Sequence, residues 1–264
     1  MEAAYFDLDK TIIARSSGLA LGRDLYREGF IGKRILLRGV AAQFAYLLVG
    51  ADENKMERMR QKALSMTKGW EKARIEQLVE DVMGEVITPI IYKEAVDLIA
   101  KHQAGGRKVY IVSSSPHEIV APIGKMLEVD GVIASAGKVD DEGRYVGELD
   151  FYCYGPHKAE VIKERAQAEG IDLKGSYAYS DSITDLPMLE EVGNPVAVNP
   201  DRALRRIALE RKWPVVNFSN PVTLRKKLAS FNPPRSTVVS GGIALSVAAA
   251  AAGYFWLRRR AQEG

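Results

Sequence analysis

The sequence is poor in cysteine: Cys153 is the single thiol among 264 residues. One cysteine cannot form a disulfide within the chain, which excludes a disulfide-stapled secreted domain. The N-terminus also lacks a basic segment followed by an apolar core, because Met1 to Ala4 lead directly into the first apolar run. We therefore expect no secretory signal peptide and a catalytic part that stays in the cytoplasm.

An excess of one charge is also missing. Lys and Arg number 37 against 34 Asp and Glu, and the two signs are interspersed along most of the chain. This pattern is typical of solvated surfaces and indicates no nucleic-acid partner. With 47% apolar and 27% charged residues, the composition predicts a globular chain with a sizeable core.

Apolar runs of strand length recur between helix-like stretches such as PHEIVAPIGKML and PHKAEVIKERAQA. The runs are AAYFDLD, KVYIVSSS, GVIAS, SYAYSD, PVAV and PVVNF, at 3–9, 108–115, 131–135, 176–181, 195–198 and 214–218. Strands that alternate with helices require crossover connections. The sequence therefore predicts an α/β fold with a doubly wound, mostly parallel sheet and helices on both faces.

Two intervals interrupt the alternation. From about Ile12 to Gly106 the periodicity is helical, as in ENKMERMRQKALSM and WEKARIEQLVEDVM, which predicts a helical insertion after the first strand. Its apolar segment at 39–51 is too short to span a bilayer and is interpreted as a buried helix. The second interval, GKVDDEGRYVGEL, carries turn residues between two extended runs and predicts a hairpin.

One uncharged run near the C-terminus has the length of a membrane span. The segment TVVSGGIALSVAAAAAGYFWL contains Tyr254 and Trp256 as candidate interfacial aromatics, and Arg258 to Arg260 follow it. We interpret 219–235 as a basic linker, 236–257 as a single transmembrane helix and 258–264 as a tail, with the catalytic domain on the cytoplasmic side of the cell membrane. The alternative is an alanine-rich helix that packs on the domain.

Two carboxylates follow the first predicted strand. Asp7 and Asp9 in DLDKT would point to the same side of an extended segment, where each raises the pKa of the other unless a cation lies between them. Taken alone the pair is a weak signal, because aspartates at strand ends are often caps or turn residues.

Further polar groups follow other predicted strands. Ser113 lies in YIVSSSP, Lys158 in GPHKAEVI, and Asp181 and Asp185 in YSDSITDLPML. The carboxyl ends of parallel strands share one edge of the sheet, where ligands bind, and an insertion there would cover the site. Carboxylate oxygens favour Mg2+, while serine, lysine and helix N-termini suit a phosphoryl group. The set predicts a Mg2+-dependent phosphoryl-transfer site.

In this order and spacing, these residues resemble the four motifs of the haloacid dehalogenase (HAD) superfamily, and the helical insertion resembles its C1 cap. Within the superfamily the chain is most similar to the phosphoserine phosphatase-like subfamily IB, over roughly Ala3 to Phe218. The resemblance implies a HAD-like phosphatase domain at 1–218 with a helical cap at about 15–90.

The resemblance also implies catalytic roles. Asp7 would be the nucleophile that forms an aspartyl-phosphate, and Asp9 the acid that protonates the leaving oxygen and then activates water. Ser113, Ser114 and nearby backbone N–H groups would hold the phosphoryl oxygens. Lys158 would neutralise phosphoryl charge, without which a carboxylate does not attack phosphorus.

The metal ligands implied by the resemblance are Asp7, the main-chain carbonyl of Asp9, and Asp181. Asp185 would support the metal and orient Lys158. Ser114 and Ser115 are ambiguous at this point, because either could instead be a cap of the helix that Pro116 begins. His117 and His157 are expected on exposed first turns, and Cys153 is expected to serve packing.

The stretch after the first motif departs from the phosphoserine phosphatases. Those enzymes place a Glu there, which contacts the ammonium of the substrate, whereas IIARSSGLA has Arg15 and Ser16. The sequence therefore predicts that phosphoserine is a poor substrate. The apolar insertion and the basic residues near the C-terminal run favour a small-molecule or lipid-like phosphomonoester, such as a lysophospholipid or a glycerol phosphate.

Three other functions stay open. A phosphotransferase or mutase on the same scaffold would need its aspartyl-phosphate shielded from water, and a bulky cap does not decide this. A membrane-tethered regulatory protein without activity would not need all four motifs. A glycosyltransferase that binds a metal through DLD has no use for the serine, the lysine and the second aspartate pair.

Overall fold

The computed structural model describes residues 1–32 and 61–220, all of which fall within one compact unit. The apolar segment at 39–51, the predicted transmembrane helix at 236–257 and the tail lie outside the described residues. In the part of the chain that is described, no helix is long and apolar enough to cross a membrane.

Seven strands in the described ranges form one sheet. They are β1 Ala3–Phe6, β2 Lys108–Pro116, β3 Gly131–Val139, β4 Tyr145–Phe151, β5 Tyr177–Ser180, β6 Asn194–Val198 and β7 Val215–Val216. Their spatial order is β4-β3-β2-β1-β5-β6-β7, and each neighbouring pair is parallel except β3 and β4. The α/β fold with a mostly parallel sheet and the β3–β4 hairpin is as the sequence predicts.

Helices connect these strands. They are α1 Ser17–Arg27, α2 Lys72–Val82, α3 Lys93–Ala104, α4 His117–Met126, α5 Pro156–Glu169, α6 Leu186–Glu190 and α7 Arg202–Glu210. Residues 61–66 are also helical, a π-helical turn spans Met83–Ile87, and 3-10 turns span Thr88–Ile90 and Ile183–Asp185.

One predicted boundary is wrong. Pro116 does not begin a helix: β2 runs through Pro116, which pairs with Ser135 after a register shift and serves as the N-cap of α4. The bulge between Ser113 and Pro116 allows this extra strand length, and proline fits at the end of a strand because its missing N–H is not needed there. The SSS stretch is consequently held by the sheet.

The centre of the sheet is buried on both faces. All four residues of β1 are inaccessible to solvent, as expected of a parallel strand covered by helices on both sides. On one face, Phe6 stacks on Tyr179 with ring centroids 4.3 Å apart, and on the other Tyr5 stacks on Tyr110 at 5.5 Å. These contacts fix β1 rigidly between β2 and β5, directly below the two aspartates that follow it.

The insertion is helical in its described parts and is tied to the hairpin. The Gly69 N–H donates to the Tyr145 carbonyl at 2.8 Å, and the Tyr145 N–H donates to the Trp70 carbonyl at 2.9 Å. The Lys72 N–H adds a bond of 3.0 Å to Gly143. Nothing in the sequence predicted this attachment of the insertion to the start of β4.

Candidate active site

The carboxyl edge of the sheet gathers the residues that the sequence singled out. Asp7 directly follows β1, Ser113 lies near the end of β2, and Asp181 directly follows β5. Lys158 is the third residue of α5, and Asp185 closes the 3-10 turn after β5. Parallel pairing of β1 with β2 and β5 places the three strand ends side by side.

A buried lysine joins two of the carboxylates. The ammonium of Lys158 donates to Asp7 Oδ1 at 2.7 Å and to Asp185 Oδ2 at 2.8 Å. Only 2% of the lysine side chain is exposed. Asp185 Oδ2 accepts a further bond from Ser180 Oγ at 2.7 Å, so both strand β5 and helix α5 fix its position.

These contacts decide the charge state of the site. Burial alone would lower the pKa of Lys158, but the carboxylates of Asp185 and Asp7 raise it above its usual range, so the ammonium stays protonated. Burial raises the pKa of Asp7 well above its ordinary value, against the attraction of Lys158, and the charges of Asp185 and Asp181 raise it further. The site therefore holds more negative charge than one lysine neutralises.

Asp181 is the second buried carboxylate of the site whose pKa is raised. Burial raises its pKa to about 7, although the Lys10 ammonium, 3.8 Å from Asp181 Oδ2, opposes the shift. The charges of Asp185 and Asp201 raise it further. Asp201 also organises the loop: its N–H donates to the Asp181 carbonyl at 2.8 Å, and its carboxylate accepts the Ile183 N–H at 2.9 Å.

Asp9 is held from two sides by serines. The backbone N–H of Ser17, at the start of α1, donates to Asp9 Oδ1 at 2.9 Å, and Ser115 Oγ donates to Oδ2 at 3.1 Å. The two serine hydroxyls lie 2.9 Å apart. Burial raises the pKa of Asp9, while the bonds from Ser17 and Ser115 favour its charged form. Ser115 is therefore a partner of Asp9 and not a helix cap.

Ser113 and Ser114 occupy the same strand end. Ser113 is 1% exposed, and its Oγ accepts the Ser115 N–H at 3.1 Å, which leaves the hydroxyl hydrogen to bind an acceptor. Ser114 is half-buried. Beside them, Gly155 has a φ of +55°, a conformation that glycine adopts without strain, and it turns the chain into α5 so that Lys158 enters the site.

The donors present fit a hard divalent cation. In the described ranges no three His, Cys, Asp or Glu side chains converge on one metal position, so the carboxylates of Asp7 and Asp181 would need oxygens from the main chain and from water. Mg2+ accepts this arrangement, because it binds few protein carboxylates and keeps several waters. The surplus negative charge at Asp7 and Asp181 also calls for a cation.

Residues that the sequence analysis set aside lie apart from this chemistry. His117 and His157 are exposed on the first turns of α4 and α5, as predicted. Cys153 is fully buried, and burial raises its pKa to about 12, so no thiolate is available at neutral pH. Sequence reasoning missed the contacts of Ser17, Ser180 and Lys10, although Lys10 lies within DLDKT.

Comparison with known proteins identifies the family to which the chain is similar. A model of haloacid dehalogenase-like hydrolases matches residues 4–190, which include Asp7, Asp9, Ser113, Lys158, Asp181 and Asp185 but not Asp201.

Two similar proteins cover almost the whole chain. One, from Streptomyces azureus, is named for inhibition of morphological differentiation and is 49% identical over 262 residues, covering 98% of this chain and 94% of its own length. A probable phosphatase of Mycobacterium tuberculosis is 46% identical over 260 residues, covering 97% of this chain and 89% of its own. A solved phosphoserine phosphatase with a phospho-aspartyl intermediate analogue has the same fold, with a TM-score of 0.59 and 19% identity over 82% of this chain and 92% of that one.

Proposed function

Because the chain belongs to the haloacid dehalogenase-like hydrolases, we propose that this phosphatase cleaves phosphate monoesters through an aspartyl-phosphate on Asp7. The observation that carries the proposal is the buried ammonium of Lys158, 2.7 Å from Asp7 Oδ1. A cation fixed at the nucleophile lowers the repulsion between a carboxylate and an anionic phosphoryl group.

In the first step, Asp7 attacks phosphorus, and the bond from phosphorus to the ester oxygen breaks. Asp9 donates a proton to that oxygen, so the alcohol leaves neutral. The raised pKa of Asp9, caused by burial, supports this role because the carboxyl holds its proton more readily. In the second step, Asp9 takes a proton from water, which attacks phosphorus and releases phosphate and free Asp7.

Ser113 and Lys158 bind the phosphoryl group throughout. The Ser113 hydroxyl and the backbone at Ser114 supply hydrogen bonds to its oxygens, and Lys158 supplies a charge. Asp185, held by Ser180, fixes the position of the Lys158 ammonium. Without this contact, the ammonium would pair with Asp7 alone.

Mg2+ is the proposed cofactor. Asp7, the main-chain carbonyl of Asp9, and Asp181 would hold it, with Asp185 in support through Lys158. When bound, the metal neutralises phosphoryl charge. The proposal is supported by the hard oxygen donors and by the raised pKa of Asp7 and Asp181, which burial causes and neighbouring carboxylates increase.

The substrate we propose lacks an ammonium group next to its phosphate ester. Ser16 is the N-cap of α1, immediately before the Ser17 N–H that binds Asp9. Arg15 lines a cavity of about 350 Å³ whose other charged residues are Arg23, Arg27, Asp24 and Glu85. Three guanidinium groups against two carboxylates leave this lining with a net positive charge, which disfavours the ammonium of phosphoserine.

We also propose that 236–257 tethers the enzyme to the membrane, with the catalytic domain in the cytoplasm. Support comes from the uncharged run itself and from its aromatic and basic flanks. The similarity to the Streptomyces azureus protein covers 98% of this chain, so it extends into this run. Resistance of the full chain to carbonate extraction tests the tether independently of activity.

Hydrolysis of an aryl phosphate by the full chain tests the catalytic half of the proposal. Turnover should depend on Mg2+ and stop reversibly with EDTA, because the carboxylates then repel the phosphoryl group. His157→Ala is the matched control, since His157 is exposed one residue before Lys158 and should keep full activity. Undiminished turnover in excess EDTA would contradict the metal assignment.

A further inference from the structure

Helix α7 exposes a large apolar side chain at the C-terminal end of a basic face. Four residues share that face at helical spacings of three, four and seven: Arg202, Arg205, Arg206 and Leu209. Leu209 is 62% exposed, more than any other large apolar side chain in the described ranges, whereas Leu204 and Ala208 bury the opposite face. We call these four residues the α7 face.

The charges of the α7 face do not serve the fold. Arg206 lies 3.9 Å from Glu210 and its side chain remains 74% exposed. Neither Arg202 nor Arg205 has a carboxylate partner among the residues that the structure describes. Arg202 also occupies the first turn of α7, where the helix dipole disfavours a cation. Arg202 and Arg205 are therefore available to an external anion, while Arg206 has a solvent-exposed contact with Glu210.

We propose that the α7 face docks on the surface of an anionic lipid bilayer. Its guanidinium groups would bind lipid phosphates, and Leu209 would insert among the upper acyl chains. The proposal goes beyond the catalytic function and rests on the proposed membrane tethering, because the tether is what brings α7 near lipid.

The sequence after α7 favours a bilayer over a nucleic acid. From the last described residue, Asn220, a spacer at 221–235 leads to the uncharged run and contains Arg225, Lys226 and Lys227. Fifteen residues span at most about 50 Å, so the proposed tether would hold the catalytic domain near the lipid surface. A nucleic-acid surface offers no apolar partner to an exposed leucine that continues the face of the arginines.

Tethering allows a face as small as the α7 face to bind the bilayer. A single cation binds an anionic bilayer weakly, and three arginines with one leucine would not hold a free protein there. A tethered domain meets the lipid at a high effective concentration, so weak contacts are enough to orient it. Asp201, the N-cap of α7, bonds the Asp181 loop of the candidate site, so docking would set the orientation of that site relative to the lipid surface.

The test is hydrogen exchange of the full chain reconstituted in vesicles of phosphatidylcholine, with or without phosphatidylglycerol. Amides of 202–212 should exchange about threefold more slowly in the anionic vesicles. In the triple variant Arg202→Gln, Arg205→Gln, Arg206→Gln, exchange should be equal in neutral and anionic vesicles. In Leu209→Asn, the slowing by anionic vesicles should be smaller than in the wild type. The matched control changes three exposed lysines elsewhere to Gln, at Lys68, Lys125 and Lys138, and should keep it.

Several results would overturn the proposal. Equal exchange in neutral and anionic vesicles, or protection that survives in the triple variant, would show that the α7 face does not bind lipid. Protection by duplex DNA but not by anionic vesicles would assign the face to a nucleic acid. Carbonate extraction of the same samples reports on the tether and aryl phosphate turnover reports on catalysis, so failure of either is distinguishable from failure of docking.

Discussion

The ammonium of Lys158 lies 2.8 Å from the carboxylate of Asp185, in a position where only 2% and 3% of the two side chains are exposed. A buried charge of this kind is costly unless it is fully paired. Because the same ammonium also donates to Asp7, the Asp185 contact sets how the lysine approaches the proposed nucleophile.

Replacing Lys158 with Met should reduce activity at least about a hundredfold, equivalent to ~2.7 kcal/mol in the barrier. It should also lower the free energy of unfolding by about 3 kcal/mol, because Asp7 and Asp185 stay buried without their partner. Steady-state kinetics and urea unfolding measure the two effects. Lys163→Met, at an exposed position of the same helix, is the control; a Lys158 variant within about tenfold of the wild-type rate would show that the lysine is structural.

Asp181→Asn should stabilise the metal-free protein at high pH. Burial raises the pKa of Asp181 from 3.8 to about 7. In the metal-free protein, the stability that Asp181 contributes is fully present below pH 3.8, the pKa of the unfolded chain. It is lost as the pH rises to about 7, because over this range the folded chain must keep a proton that the unfolded chain has released. At about pH 8 in EDTA, the variant should be more stable by on the order of 2 kcal/mol.

Thermal unfolding across that pH range, with EDTA or Mg2+, measures this effect. Mg2+ should stabilise the wild type most at high pH and should do little for Asp181→Asn, because the cation binds the ionised carboxylate. Asp150→Asn, exposed on β4, should behave as the wild type does. Equal stabilisation of Asp181→Asn by Mg2+ would exclude Asp181 as a ligand.

Ser115→Ala should lower kcat about tenfold for an alkyl phosphate, because Asp9 loses a hydrogen bond that positions it. The loss should be smaller for p-nitrophenyl phosphate, whose leaving group needs little protonation. Ser17→Ala should have a weaker effect, since the backbone N–H of residue 17 still bonds Asp9. If Ser115→Ala lost the same factor on both substrates, the serine would act on the fold and not through the acid.

Phosphoserine should be hydrolysed at least about tenfold less efficiently than glycerol 3-phosphate, judged by kcat/KM, which corresponds to ~1.4 kcal/mol. Arg15→Glu should narrow this ratio by replacing a repulsive charge with an attractive one. Arg74→Glu, on α2 beside Phe30, is the charge-matched control. A wild-type preference for phosphoserine would mean that its amino group is recognised by other residues.

The positions of site residues could be predicted from the sequence where these residues follow the end of a strand. Asp7, Ser113 and Asp181 could be placed together because parallel strands end at one edge, and turn residues revealed the hairpin. The contacts of Ser17, Ser115 and Ser180 could not be found in this way. A serine is common at caps and turns, and its partner is decided by how separate elements pack, which periodicity does not encode.

The attachment of the insertion to β4 was hidden for a similar reason. Residues 69–72 pair with the start of β4 through backbone groups, and backbone hydrogen bonds leave no residue signature in a short segment. The contact of Lys10 with Asp181 was also missed, because Lys10 adopts a φ of +61°, a left-handed conformation that is uncommon for lysine and that the sequence does not predict. The roles of 39–51 and 236–257 stay predictions, since these segments lie outside the described residues.

The most direct test of the account is to identify the residue that carries phosphate during turnover. We predict that acid quenching with substrate and Mg2+ traps a hydroxylamine-sensitive phosphoryl group on the peptide that contains Asp7, and that Asp7→Asn, folded by circular dichroism, traps none and turns over at less than about a hundredth of the wild-type rate. Phosphate on any other residue, or turnover by Asp7→Asn above that limit, would contradict the assignment of Asp7 as the nucleophile.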